Sequence, residues 1–231
     1  MTGRLLGRML AICGLLVPMA LLAQRETKCR WDFEDLDGWV YEHQDTASRS
    51  MCYVEDGMLR IDTRAHTYDR QKMHTRGRIY QSGMYRWRTY VSPIAAWEQV
   101  SIGSWIYHDD HHEMDFEVGY GTVRARRECG AREDELVVYM TNQDHPRFTK
   151  CIPIKPGWHE FCIRLDLVEG KYRAQWIIDG DVKQDRQLEF GEEIPFYIFC
   201  SVENLKFLGE RMAEHDNFGL FDWVTFEGHS R

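Results

Sequence analysis

The chain reads as an all-β protein, a β-sandwich or jelly roll of two antiparallel sheets. Short runs that alternate apolar and polar side chains recur along it, separated by turn signals. Helical periodicity is confined to one short stretch, Leu208–Glu214. A length of 231 residues with 43% hydrophobic and 29% charged side chains suits one globular domain with a large core. Disorder, coiled coil, collagen-like repeats and a multi-span membrane protein are excluded by the same figures. A closed barrel is the alternative arrangement of the same strands.

The chain opens on Arg4 and Arg8, followed by the apolar run Met9–Ala23, which ends in Ala20-Leu-Leu-Ala23. This is the order of a secretory signal peptide, and the run is shorter than the ~20 residues of a membrane-spanning helix. Residues 1–23 are therefore expected to be a signal peptide and 24–231 a single domain, periplasmic or secreted. The formal charge is −8, and cleavage removes two arginines. So acidic a chain is a poor partner for nucleic acid or an anionic membrane. It is expected to work as a monomer.

Of the 7 cysteines, Cys13 lies in the leader. The others are Cys29, Cys52, Cys129, Cys151, Cys162 and Cys200, an even set that permits disulfides in an exported protein. Cys162 and Cys200 sit in strand-like apolar runs, where a buried free thiol is common. Cys129 and Cys151 flank an irregular segment that a disulfide between them could staple. No spacing of Cys and His matches a zinc site.

The strand-like runs follow in order. Met58-Leu-Arg-Ile succeeds Asp56-Gly57, and Met84–Val91 succeeds Gly83. Val100–Tyr107, Met114–Val118, Leu136–Met140, Phe161–Leu167, Tyr172–Ile178, Phe196–Val202 and Phe218–Phe226 complete the set. Glu169-Gly170 and Asp179-Gly180 are hairpin signals, because glycine tolerates the positive φ of a tight turn.

The run His111-His-Glu-Met-Asp-Phe-Glu-Val carries the chemistry. With a period of two, Met114, Phe116 and Val118 face one way and Glu113, Asp115 and Glu117 the other. The apolar face packs into the core, so three carboxylates share the opposite face. Like charges on adjacent positions of one face repel, a cost that brings a structural strand nothing. Such crowding shifts pKa values, and two carboxyl groups flanking a bond, one ionised and one protonated, are what glycoside hydrolysis requires. Two glutamates four positions apart must be brought together, which demands a curved sheet with this strand in a groove. A solvated acidic strand face is the plainer reading. The polar run Tyr107–His112 contains metal-ligand residue types and is read as a loop into this strand.

Glu113-Met-Asp-Phe-Glu117 resembles the signature strand of glycoside hydrolase family 16. Val54-Glu-Asp-Gly-Met-Leu-Arg-Ile, Gly77–Arg88, Gly157-Trp-His-Glu-Phe-Cys-Ile, Trp176-Ile-Ile-Asp-Gly and Asp222-Trp-Val-Thr-Phe are similar to further segments of that family, in the same order. The resemblance implies a concanavalin A-like jelly roll with a concave substrate groove. It implies a retaining endo-glycosidase acting on a β-linked polysaccharide, a glucan or a galactan. By position Glu113 would be the nucleophile, Glu117 the general acid/base and Asp115 the acid that tunes them. Of the family's usual pair of tryptophans before the signature strand, Ser101-Ile-Gly-Ser-Trp105 retains the second. Candidate sugar-binding residues are Trp105, Trp97, His111 and Asn142, with Gln143 beside the last. No cofactor is implied, and Asp222 alone does not define a calcium site. A catalytically silent lectin-like module on the same fold is the alternative. A lyase would need a Tyr or His base that the acid triad does not supply.

Overall fold

A computed structural model describes residues 25–44 and 50–231. The expected signal peptide lies outside the described residues. Fifteen strands are present among them. In chain order they are β1 (Arg25–Trp31), β2 (Trp39–His43), β3 (Cys52–Glu55), β4 (Met58–Thr63), β5 (Arg70–Thr75), β6 (Tyr80–Val91), β7 (Ser101–Asp109) and β8 (His112–Gly119). After helix α1 (Val123–Cys129) come β9 (Leu136–Asn142), β10 (Phe148–Ile154), β11 (Gly157–Val168), β12 (Lys171–Ile178), β13 (Asp181–Gln187), β14 (Tyr197–Glu203) and β15 (Asn217–Ser230).

They form two antiparallel sheets. One runs β13-β12-β11-β6-β15-β4-β3, with β1 also paired to β15. The other runs β10-β9-β8-β7-β14-β5-β2. The second sheet holds β8 away from both edges, between β7 and β9. Asp56-Gly57, Glu169-Gly170 and Asp179-Gly180 each close a two-residue hairpin, with both residues of every pair at positive φ. That backbone follows the right-handed twist of the flanking strands.

Alternation decides which face is buried. Tyr85 and Trp87 on β6, Phe161 and Ile163 on β11, and Tyr172 and Trp176 on β12 point inward from the first sheet. Met114, Phe116 and Val118 on β8 meet them from the second, all fully buried. Three side-chain bonds tie the layers together. Trp176 Nε1 donates to the Asp115 carbonyl at 3.0 Å, Trp87 Nε1 to the Phe199 carbonyl at 3.0 Å, and Thr89 bonds Ser104 at 3.2 Å. The first of these fixes the backbone of the acidic strand from across the core.

The helix lies elsewhere than expected. Leu208–Glu214 is irregular after a 3-10 turn at Lys206–Leu208, whereas the charged segment after β8 forms α1. Tertiary contacts make this short helix. Thr122 caps it by accepting from Ala125 N, Gly130 ends it in the left-handed conformation, and buried Arg126 donates to the carbonyls of Tyr120, Arg132 and Glu135. Cys129 and Cys151 adjoin one another there as thiols, and burial followed by the Cys129 neighbour pushes Cys151 up to about 11. Cys162 and Cys200 are buried free thiols.

Candidate active site

Glu113, Asp115 and Glu117 emerge on the outer face of the second sheet and line a cavity of about 350 Å³. Cross-strand register supplies the rest of the wall. Tyr107 lies opposite Glu113, Trp105 opposite Asp115 and Gly103 opposite Glu117. On the next strand Tyr197, Phe199 and Ser201 oppose those three. Beyond them β5 brings Arg70 and Lys72. Gly103 leaves the space beside Glu117 open, since a Cβ there would collide with the Ser201 hydroxyl and press on the Trp105 ring.

A further carboxylate, Glu203, sits in the same wall and is 4% exposed. Arg70 pairs with it, and Lys72 Nζ lies 3.2 Å from the same oxygen. Lys72 is itself buried, with its ammonium 5.5 Å from the Trp105 ring centroid. Trp105 stacks on Phe199 at 3.9 Å and donates to Ser201 Oγ at 3.0 Å, so its ring is held rigid in the wall.

The three acids of β8 are raised by burial and by neighbouring charge. Burial pushes Glu113 up to about 7, and the Glu203 charge adds to it. Gln143, Lys72 and Asp115 act in the opposite direction on the same group. Burial pushes Glu117 up to about 8, helped by Glu203 and Glu113 and opposed by Arg70. Asp115 lies well above its usual range because it is buried between the two glutamates. Gln143 Nε2 donates to Asp115 Oδ2 at 3.3 Å.

The remaining sequence candidates lie outside this wall. Trp97 packs edge-on against Tyr120 at 5.0 Å and beneath Arg126, away from the acids. Asn142 shares the parity of its partner Met114, so it faces inward and is fully buried; its amide donates to the carbonyls of Asp144 and Pro146. It is the neighbouring Gln143 that reaches the acids. His111 is exposed and turns to Asp144, 3.2 Å away. In the polar run before β8, His108 is engaged by the Pro195 carbonyl and His112 by Asp109.

Arg70, Lys72, Tyr107, Phe199 and Glu203 join the site without having been singled out from the sequence. Tyr107 and Phe199 could have been found by carrying the parity of Glu113 across paired strands. Lys72 and Glu203 could not, because β5 shows no apolar alternation and the register of β14 against β5 is a tertiary fact.

No family model matches the sequence, and no curated protein is significantly similar to it. The fold is shared with solved glycoside hydrolase family 16 enzymes. LamA from Zobellia galactanivorans, solved with laminaritriose and laminaritetraose, superposes with a TM-score of 0.64 at 12% identity, over 87% of this chain and 98% of that one. The Crh5 transglycosylase, solved with NAG, gives 0.63 at 14%, over 87% and 83%. A Bacillus licheniformis β-glucanase gives 0.59 at 13%, over 87% and 98%.

Proposed function

We propose that the chain is a retaining endo-glycosidase that hydrolyses a β-linked glucan or galactan chain laid along the acidic face of the second sheet. One observation carries this reading. Three carboxyl groups on a single strand face share a cavity, and their surroundings raise all three unequally, Glu113 less than Glu117.

Glu113 is raised the less of the two glutamates, because Gln143, Lys72 and a hydrogen bond from Asp115 act against its burial. It is the nucleophile. Its carboxylate attacks the anomeric carbon, and the bond from that carbon to the leaving oxygen breaks. Glu117, raised the further of the two glutamates, gives its proton to that oxygen. The chain end departs and a glycosyl ester remains on Glu113. Glu117, now ionised, takes a proton from water, whose oxygen attacks the same carbon and frees Glu113. Asp115 keeps a proton directed at Glu113 and holds it in position. Its backbone is fixed in turn by the bond from Trp176.

Trp105 offers an aromatic wall at the cavity, where pyranose faces stack. The polysaccharide-binding neighbours support a sugar chain as the ligand. Residues 1–23 would act as an export signal, placing the domain where such polymers are met.

The test is reducing-end release from a panel of β-glucans and galactans, with the wild type beside Glu113→Gln. Activity that disappears in the variant, with product first formed as the β-anomer by NMR, is the expected result. Binding across the panel without turnover would assign the lectin role instead.

A further inference from the structure

We propose that His111, Asp144 and His145 form a binding site for one divalent transition metal of the zinc class, joining two loops beside the acidic cavity. Among the described residues this is the one group of three metal-ligating side chains whose donor atoms all lie within 4.8 Å of one another. It is absent from the sequence pattern because its members come from two places. His111 belongs to the β7–β8 turn, and Asp144 and His145 to the β9–β10 loop.

The donors are already oriented. Asp144 Oδ1 accepts from His145 N at 2.8 Å, which leaves Oδ2 to face both imidazoles. It lies 3.2 Å from His111 Nδ1 and 3.9 Å from His145 Nε2. The other nitrogen of His145, Nδ1, is 3.9 Å from Glu189 Oε2. A carboxylate behind a ligating imidazole fixes its tautomer and raises its basicity, as in carboxylate–histidine–zinc arrangements. His112 stacks on His145 at 5.3 Å and holds that ring from the other side.

Both loops are held before any metal arrives. His111 N donates to Asp109 Oδ1 at 3.0 Å. The buried Asn142 amide bonds the carbonyls of Asp144 and Pro146, and Glu189 N donates to His145 O at 2.9 Å. Two imidazoles and one carboxylate, with a fourth position open to water, form a zinc donor set. Nitrogen in two of three positions disfavours calcium and magnesium, which take oxygen ligands.

The site also adjoins the acids. Gln143, next to Asp144, bonds the Glu113 carbonyl through its N–H at 3.1 Å and Asp115 through its side chain. A metal that pins Asp144 and His145 to His111 would stiffen the loop that presents Gln143.

Zinc titration of the full chain by calorimetry tests this, with Co²⁺ absorption as the spectroscopic probe. The expected result is one Zn²⁺ per chain, bound at least tenfold more weakly by His145→Ala and by His111→Ala. Glu189→Gln should weaken it by about tenfold. The Co²⁺ form should show visible bands without a thiolate charge-transfer band, which separates this site from the cysteines. If an alanine variant fails to fold, the near-isosteric Asp144→Asn carries the same expectation. No stoichiometric zinc, or zinc bound equally by the wild type and these variants, overturns the proposal, as does a thiolate band in the Co²⁺ spectrum.

Discussion

The two solvent-facing sides of the sandwich carry charge in opposite ways. On the first sheet, cations and anions alternate and meet. Arg60 bridges Glu55 and Asp62, Arg164 pairs with Asp166, and Arg173 pairs with Asp185. Arg60 and Arg88 also lie over the rings of Phe218 and Trp158. On the second sheet six carboxyl groups line one cavity, and the basic side chains lining it are Arg70 and Lys72. The first face is solvated and balanced, so each pair adds little stability. The second is desolvated and unbalanced, so Glu113, Asp115 and Glu117 are pushed above the usual carboxylate range. A fold loses stability by this, and proteins tend to keep such an arrangement where the shifted groups do chemistry.

The sharpest way to break this comparison is to remove one charge from each face. Glu113→Gln should lower reducing-end release by on the order of 10⁴-fold. Arg173→Ala should leave the activity within twofold. Equal activity in wild type and Glu113→Gln would place the nucleophile elsewhere.

Glu203→Gln comes next. It removes a negative charge that raises both glutamates, and frees Lys72 and Arg70 to act on them. Both effects lower the pKa of the proton donor, so the alkaline limb of the kcat/KM profile should move to lower pH. Breaking this buried pair should also cost about 3 kcal/mol of stability in urea unfolding. A shift of the alkaline limb to higher pH would contradict the assigned direction.

The acid cluster also predicts a pH dependence of stability. Glu113 and Glu117 stand at about 7 and about 8 in the fold, above the ~4.3 of an unfolded glutamate. Between roughly pH 4.5 and 8 the folded state therefore binds more protons than the unfolded one, and stability falls as pH rises. Glu117→Gln should accordingly raise Tm at pH 8, by ~2–4 °C for each kcal/mol gained, and the advantage should vanish near pH 5. A Tm gain that is the same at both pH values would mean the proton linkage is not its source.

Trp176→Phe sharpens the comparison from the core side. It keeps an aromatic ring but deletes the N–H given to the Asp115 carbonyl, at a cost of about 1–3 kcal/mol in urea unfolding. Kinetically, kcat should fall more than KM rises, because the strand that carries the acids is loosened. The smallest effect belongs to the outer face again. Arg173→Ala should leave Tm within about 2 °C, since its partner pair is exposed.

Legibility in the sequence followed burial. The strands with an apolar side facing the core, β4, β6 to β9, β11, β12, β14 and β15, are visible as alternation, and the X-Gly turns mark three hairpins. Strands β1, β5 and β13 are rich in polar and charged side chains and are held by pairing with a neighbour, so no local pattern announces them. Helix α1 is hidden for a similar reason, its stability resting on a cap and on Arg126 reaching three carbonyls.

The acid triad is legible because a period of two needs only one strand. Its facing partners are not, and three of the candidate sugar contacts, Trp97, His111 and Asn142, sit away from the cavity. Asn142 is near the acids along the chain, but one step of strand parity sends it to the core while Gln143 goes to the acids. By itself the sequence determined the two-sheet class, the hairpins and the single face shared by Glu113, Asp115 and Glu117, since these depend on periodicity and on backbone conformations local to a few residues. The tertiary structure alone decided that Glu203, Lys72 and Arg70 border that face, and that His111 meets Asp144 and His145. Those meetings depend on the register between strands distant in sequence, and register is settled by the packing of the whole core.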